Sequence, residues 1–226
     1  MSAESEKAAL KAYCASQGMS LFGVADIVEL RKDFHPSIQT LAQSFPRAIS
    51  IGCRLPDAVI DEIVDRPTLI YAAAYKASNW VLDQTALRLT NLVQEKGYSA
   101  VPVAASQYAD RKAQLGHLSH RVVGHAAGLG WIGRSSLLVN PRYGARVRYA
   151  TVLTDMPLDP DGPAEGSCGE CRDCIDMCPA EAISMDGYDK WKCFELLNKF
   201  SGIAGVGKHI CGVCVKACPV NRGGGG

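Results

Sequence analysis

Eight cysteines crowd the last third of this chain and limit what it can fold into. Cys168, Cys171, Cys174 and Cys178-Pro179 stand as C-x2-C-x2-C-x3-C-P. Cys211, Cys214 and Cys218-Pro219 follow as C-x2-C-x3-C-P, with Cys193 between the two groups. Three thiolates spaced so closely converge from one loop onto one inorganic cubane, and the cysteine before proline turns away to ligate the other cluster. This spacing assigns Cys168, Cys171, Cys174 and Cys218 to a first 4Fe–4S cluster. Cys178, Cys193, Cys211 and Cys214 then hold a second. Two zinc sites or plain reduced thiols are the alternatives, although zinc ribbons separate their C-x2-C pairs by longer loops. Cys193 departs from a plain two-cluster ferredoxin, so the insert WKCFELLNKFSGIAGVGKHIC has to fold back to deliver it. Two clusters make an electron wire, and a wire joined to a larger domain needs an acceptor there. Cys14 and Cys53 lie outside the pattern and read as buried spectators.

A chain of 226 residues has room for one substantial core and a small appended module. Its content of 47% hydrophobic and 21% charged residues argues against disorder, and a net charge of +1 argues against a broad electrostatic grip on nucleic acid. The opening MSAESEKAALKAYCASQG carries no apolar run fit for a signal peptide or a membrane span, so the expected location is the cytoplasm, without membrane contact. Reduced thiols there make a disulfide framework a poor account of ten cysteines.

Hydrophobic periodicity predicts a helix over 3–17, strands over 20–25 and 48–53, and a long helix from about residue 68 to just before Gly97. Ile70, Ala73, Ala74, Ala77, Trp80 and Val81 are its expected apolar face. A strand over 98–104, a helix over 118–127 and strands over 136–139 and 145–153 follow. In the last of these Val147 and Tyr149 alternate with Arg146 and Arg148, as on a half-exposed strand. The Pro-, Gly- and acid-rich stretch 155–167 reads as a linker between domains at 1–160 and 161–226. The closing GGGG is left out of the fold.

Gly128, Gly130 and Gly133 spell G-x-G-x-x-G, the pattern of a dinucleotide loop. That loop follows a strand and opens a helix. Here RVVGHAA before the glycines is helical in pattern and SSLLVN after them is extended, which reverses the order. The glycines therefore read as a helix-exit turn that lets the backbone approach a large flat cofactor.

The block AAGLGWIGRSSLLVNPRYGARVRYATVLTDMPL, followed by the cysteine array and CPAEAI, resembles the epoxyqueuosine reductases and more distantly the reductive dehalogenases. The resemblance implies an α+β protein: a nitroreductase-like cobalamin-binding domain followed by a ferredoxin-like domain with two 4Fe–4S clusters. It implies cobalamin as a cofactor beside the clusters, with Gly128, Gly130, Trp131, Ile132, Gly133, Ser135, Ser136, Asn140 and Tyr143 as candidate cofactor-binding residues. A low-potential donor such as ferredoxin or flavodoxin is the implied electron source.

Family members carry a catalytic aspartate upstream of the glycines and continue into a helical-repeat domain that helps hold transfer RNA. Here Gln114 stands near the aspartate position, and an amide is no proton donor of that kind. Asp110 is the nearest carboxyl; His117 and His120 are further proton-donor candidates, and His125 lies close by. The sequence ends soon after the last cysteine. Transfer RNA is accordingly a disfavoured partner, and the substrate is open. The leading expectation is an iron–sulfur oxidoreductase, a cobalamin-dependent reductase that passes electrons through two clusters to cobalamin. The alternatives are a non-catalytic electron-transfer or corrinoid-handling protein, and a flavin-binding first domain.

Overall fold

A computed structural model describes residues 2–219, so the closing glycines lie outside the described residues. Helix α1 (Ala3–Ser16) starts where the Ser2 hydroxyl accepts a bond from the Ser5 amide at 3.2 Å, with Glu4 and Glu6 favouring its first turn. It stops at Gly18, whose φ of +85° suits a helix exit. Strand β1 (Leu21–Asp26) follows, then a 3-10 turn at Leu30–Asp33 and α2 (Pro36–Ala42). Strand β2 (Arg47–Arg54), α3 (Asp57–Asp61) and α4 (Leu69–Glu95) come next. They lead to β3 (Ala100–Val103), α5 (His120–Ala126), the short strands β4 (Trp131–Ile132) and β5 (Leu138–Val139), and β6 (Val147–Thr154). The cysteine region adds α6 (Asp173–Asp176), α7 (Lys190–Ser201) and α8 (Val213–Ala217).

The main sheet has the order β1-β2-β6-β3, with β1 antiparallel to β2 in the register Leu21↔Gly52, and β3 antiparallel to β6 in the register Ala100↔Thr154. Every residue of β6 except Arg148 is buried, as expected where both faces of a strand are covered.

Two compact units emerge. The first is built from Met1–Cys53, Asn79–Gly130 and Arg148–Glu165, the second from Arg54–Ser78, Trp131–Val147 and Gly166–Gly226. The unit that carries the cysteine array is therefore not one contiguous tail. It takes in two stretches that the sequence reading assigned to the first domain. The core of the first unit joins Leu10 and Cys14 of α1, Ile49 and Ile51 of β2, Leu82, Ala86 and Leu89 of α4, and Ala150 and Val152 of β6. The second unit has its own core of Leu55, Ile60, Ile63, Tyr71, Ala72, Val206, Ile210 and Val213.

Three expectations need correction. Helix α4 buries another face than the predicted one: Tyr71, Ala72, Ser78, Leu82, Thr85, Ala86 and Leu89 are inside, while Ile70 and Trp80 are 56% and 65% exposed. Polar residues can occupy that buried face because Thr85 and Thr90 donate their hydroxyls to the carbonyls of Val81 at 2.8 Å and Ala86 at 2.9 Å.

Arg146, just before β6, and Arg148 within it are not a solvated strand face. Arg146 is buried and pairs with Asp57 at 3.2 Å and Asp61 at 2.7 Å. Arg148 donates to Asn79 Oδ1 at 3.1 Å and to the Ala105 carbonyl at 3.2 Å.

The stretch 155–167 is also more than a free linker. Asp161 accepts from the Val24 amide at 2.7 Å and from Lys7 at 2.6 Å, while Met156 and Leu158 enter the core.

Candidate metal and cofactor site

In the second unit, Cys168, Cys171, Cys174 and Cys218 line one cavity of about 210 Å³ together with Trp131, Gly133, Arg134, Ser135, Asn140 and Ser167. The turn 168–171 closes by a bond from the Cys171 amide to the Cys168 carbonyl at 2.9 Å, and the single turn α6 then carries Cys174. Glycines keep the walls close. A Cβ on Gly133 would stand 2.7 Å from a Val139 methyl and 3.3 Å from the Cys168 sulfur. One on Gly144 would stand 2.9 Å from the Pro219 carbonyl, at a φ of +57°. Burial pushes the Cys218 thiol up to about 11, and the nearby Cys168, Cys174 and Cys171 add to the shift. Burial likewise raises Cys174, helped by Cys168 and Cys171.

The remaining cysteines form a second neighbourhood. Burial drives the Cys214 thiol far up, reinforced by Cys211, Cys193 and Cys178, and last by Cys174 of the first quartet. Cys211 is pushed to about 11 by burial, with Cys193 and Cys178 contributing. Cys193, on α7, is raised by burial although the Tyr188 hydroxyl partly offsets it. The Ala182 amide donates to the Cys178 sulfur at 3.4 Å. Gly212, at a φ of +90°, seats the 211–214 turn where a Cβ would come within 2.5 Å of Ile63 and 2.8 Å of Tyr71.

Four thiols gathered around one cavity fit ligation by a positively charged inorganic centre, which would draw off their protons. Among the described residues, no three His, Cys, Asp or Glu side chains converge on a point suited to a single metal ion. Cys14 is buried in the first core with its thiol pushed to about 12, and Cys53 packs half-buried against the same core.

The glycine motif is a helix exit that continues into a hairpin. The amides of Gly128 and Leu129 bond back to the carbonyls of His125 at 3.0 Å and Gly124 at 2.9 Å, with φ at +75° for Gly128. Strands β4 and β5 then pair antiparallel, which is not the arrangement of a dinucleotide loop.

Of the candidate cofactor residues, Trp131, Gly133, Ser135 and Asn140 line the cysteine cavity. The indole Nε1 of Trp131 is buried with no acceptor among the described residues. Asn140 Oδ1 accepts from the amides of Arg142 at 2.9 Å and Tyr143 at 3.1 Å, so that carbonyl holds a local turn. Ile132, Ser136 and Tyr143 do not line the cavity. Tyr143 is buried with the guanidinium groups of Arg54 and Arg142 4.8 and 5.1 Å from its ring centre. Gly128 and Gly130 belong to the first unit, where Gly128 packs against Gly162.

The proton-donor candidates lie in the first unit and are held in local structure. Asp110 Oδ1 accepts from the amides of Lys112 at 2.7 Å and Ala113 at 2.9 Å. Gln114 sits at a φ of +51° and donates to the Arg111 carbonyl. The ring nitrogens of His120 contact Thr151 Oγ1 and the Ala104 carbonyl, each at 2.8 Å, and burial lowers its pKa to about 4. Burial thus favours its neutral form at physiological pH. His125 bonds the Gly130 carbonyl at 2.9 Å. His117 precedes α5, and its Nδ1 lies 2.7 Å from Ser37 Oγ, which is also 2.8 Å from His35 Nδ1. This His–Ser–His grouping has no signature in the sequence because its members are distant along the chain. Neither has the buried hydroxyl of Tyr149, which has no hydrogen-bond partner among the described residues.

A mixed α+β fold with a clustered cysteine array places the chain among known folds. It superimposes with a TM-score of 0.71 on an epoxyqueuosine reductase bound to an epoxyqueuosine-modified tRNA-Tyr stem loop, at 22% identity over 98% of this chain and 67% of that one. A reductive dehalogenase described in terms of B12-dependent dehalogenation gives 0.70, at 22% identity over 93% of this chain and 31% of that one.

In sequence, the chain is related to the epoxyqueuosine reductases. It is 36% identical over 117 residues to the Bacillus anthracis protein and 28% identical over 226 residues to the Staphylococcus aureus protein. These matches cover 48% and 96% of this chain, but 31% and 58% of the relatives. The chain thus spans well under two thirds of the length of either. No protein-family model matches it.

Proposed function

We propose that this protein is a reductase that passes electrons through two 4Fe–4S clusters to a bound cobalamin. The observation that carries the proposal is the gathering of Cys168, Cys171 and Cys174 from one turn with Cys218 from the far end of the array around a single cavity, as in two-cluster ferredoxins. Cys168, Cys171, Cys174 and Cys218 would hold one cluster, and Cys178, Cys193, Cys211 and Cys214 the other. The unpartnered indole N–H of Trp131 beside the first quartet supports this reading, because cluster and thiolate sulfurs accept hydrogen bonds. Each cluster would supply a one-electron carrier. The first unit is then the nitroreductase-like, corrinoid-binding part and the second the ferredoxin-like part.

A cavity of about 210 Å³ suits a cluster and is too small for a corrinoid, so cobalamin needs other surface. Cobalamin as acceptor is supported by the B12-dependent dehalogenase neighbour and by the G-L-G-W-I-G-R-S-S block, and the buried Tyr149 hydroxyl would contribute one polar contact for a large ligand. When bound, cobalamin would supply a strongly reducing cobalt centre for attack on the substrate. A low-potential ferredoxin or flavodoxin would serve as electron donor, in the cytoplasm. Among the described residues no helix is long and apolar enough to cross a membrane.

A second reading is a non-catalytic electron carrier or corrinoid-handling protein. Two points favour it: counting back along the sequence without gaps puts Gln114 near the family's aspartate position, and the Asp110 carboxylate is held by its own loop. Both also keep transfer RNA disfavoured as substrate.

One anaerobic experiment tests these readings. After reconstitution with iron and sulfide the chain should bind about eight irons. Reduction of added cobalamin by a low-potential reductant, followed by its visible spectrum, should then be several-fold faster with the protein than without it. Zinc in place of iron would overturn the electron-transfer reading; about eight irons with cobalamin reduction no faster than without the protein would overturn the corrinoid part. Turnover of an epoxide-bearing transfer RNA would overturn its demotion as substrate.

A further inference from the structure

Arg134 directly follows the last glycine of the motif and sits in the wall of the first cysteine cavity. Its guanidinium donates through Nε to the Cys171 carbonyl at 3.2 Å, through one terminal nitrogen to the Met185 carbonyl at 3.3 Å, and through the other to the Gly169 carbonyl. Two of these carbonyls belong to the turn that presents Cys168 and Cys171. Gly169 takes a left-handed φ of +48°, so that turn follows a path that extended or helical backbone cannot supply. A planar fork with donors on all three nitrogens fixes three oxygens in one plane, which an ammonium group cannot do. Gly133, next to it, has no room for a side chain between Val139 and the Cys168 sulfur. Gly133 and Arg134 therefore grip the ligand turn from one side.

We infer that Arg134 is the positioning residue of the first cluster. It holds the 168–171 turn in ligating shape and keeps a permanent positive charge beside the metal. This rests on the iron–sulfur reading above. Reduction adds one negative charge to a cluster, so a nearby guanidinium stabilises the reduced form and raises the potential at which the electron is accepted.

The test uses the full chain reconstituted anaerobically, with Arg134→Gln, Arg134→Lys and, as a control on the exposed surface of the first unit, Arg88→Gln. Potentiometric titration followed by electron paramagnetic resonance resolves two clusters in the parent protein. In Arg134→Gln one midpoint moves to more negative potential and that cluster is stripped by a chelator several-fold faster, while the other keeps its values. Arg134→Lys returns the midpoint towards that of the parent but not the resistance to chelator. Arg88→Gln changes neither.

Unchanged midpoints and stripping rates in Arg134→Gln, with about eight irons bound, would overturn the inference and leave the cluster reading standing. A parent protein that binds no iron would overturn both. Should Arg134→Gln not fold, Arg134→Lys decides: parental resistance to chelator would refute the role of the fork.

Discussion

His120 shows how one side chain ties pH to stability. Both ring nitrogens have partners inside the first unit, and burial lowers its pKa to about 4. An unfolded chain returns it to about 6.5. Between these values the unfolded state binds the extra proton, so stability falls as pH drops and is fully retained only above the unfolded value. By pH 5 the loss attributable to this residue is about 2 kcal/mol. Urea unfolding of the parent and of His120→Gln at pH 7 and pH 5 should show the difference: the variant starts less stable but loses about 2 kcal/mol less between the two. Equal losses in both proteins would mean that the imidazole is not held neutral.

Among the elements, the approach of α5 to β1 is the tightest. A Cβ on Gly23 would lie 2.1 Å from the Ala127 carbonyl and 3.0 Å from a Leu129 methyl. Since the obstacle is backbone, Gly23→Ala should destabilise the protein by about 2–3 kcal/mol, measured as a lowered denaturant midpoint. Gly97→Ala, with nothing within 4 Å of the added carbon but a φ of +86°, separates backbone strain from this collision.

The elements also show what could be read in advance. The long helix, the two first strands and the reversed order around the glycines were legible because periodicity and breakers act locally. The phase of α4 was not. Its buried face includes Ser78, Thr85 and Thr90, whose burial depends on hydroxyl bonds that hydropathy does not encode. The cysteine spacing signalled a ligand array. Arg134 stayed hidden because its partners are backbone carbonyls, which carry no residue label.

At the scale of the molecule, the second unit combines a modest apolar core with helices α6 and α8 of four and five residues. No residue of α7 is fully buried. Helices so short do not persist alone. On the iron–sulfur reading, anaerobic removal of iron should make 167–219 the first segment cut in limited proteolysis, while fragments holding the β1-β2-β6-β3 sheet survive. Equal cleavage with and without iron would show that the metal does not hold this unit together. The recruitment of 54–78 and 131–147 into the second unit was not legible, because neither stretch carries a cysteine.

Strand order has a consequence for biosynthesis. Strand β6, the last to be translated, lies between β2 and β3. While a ribosome has released only the first 147 residues, both neighbours carry open edges, and the slot for Ala150 and Val152 is empty. A nascent chain in that state offers two sticky strand edges to other polypeptides, the kind of intermediate that aggregates until the last strand arrives.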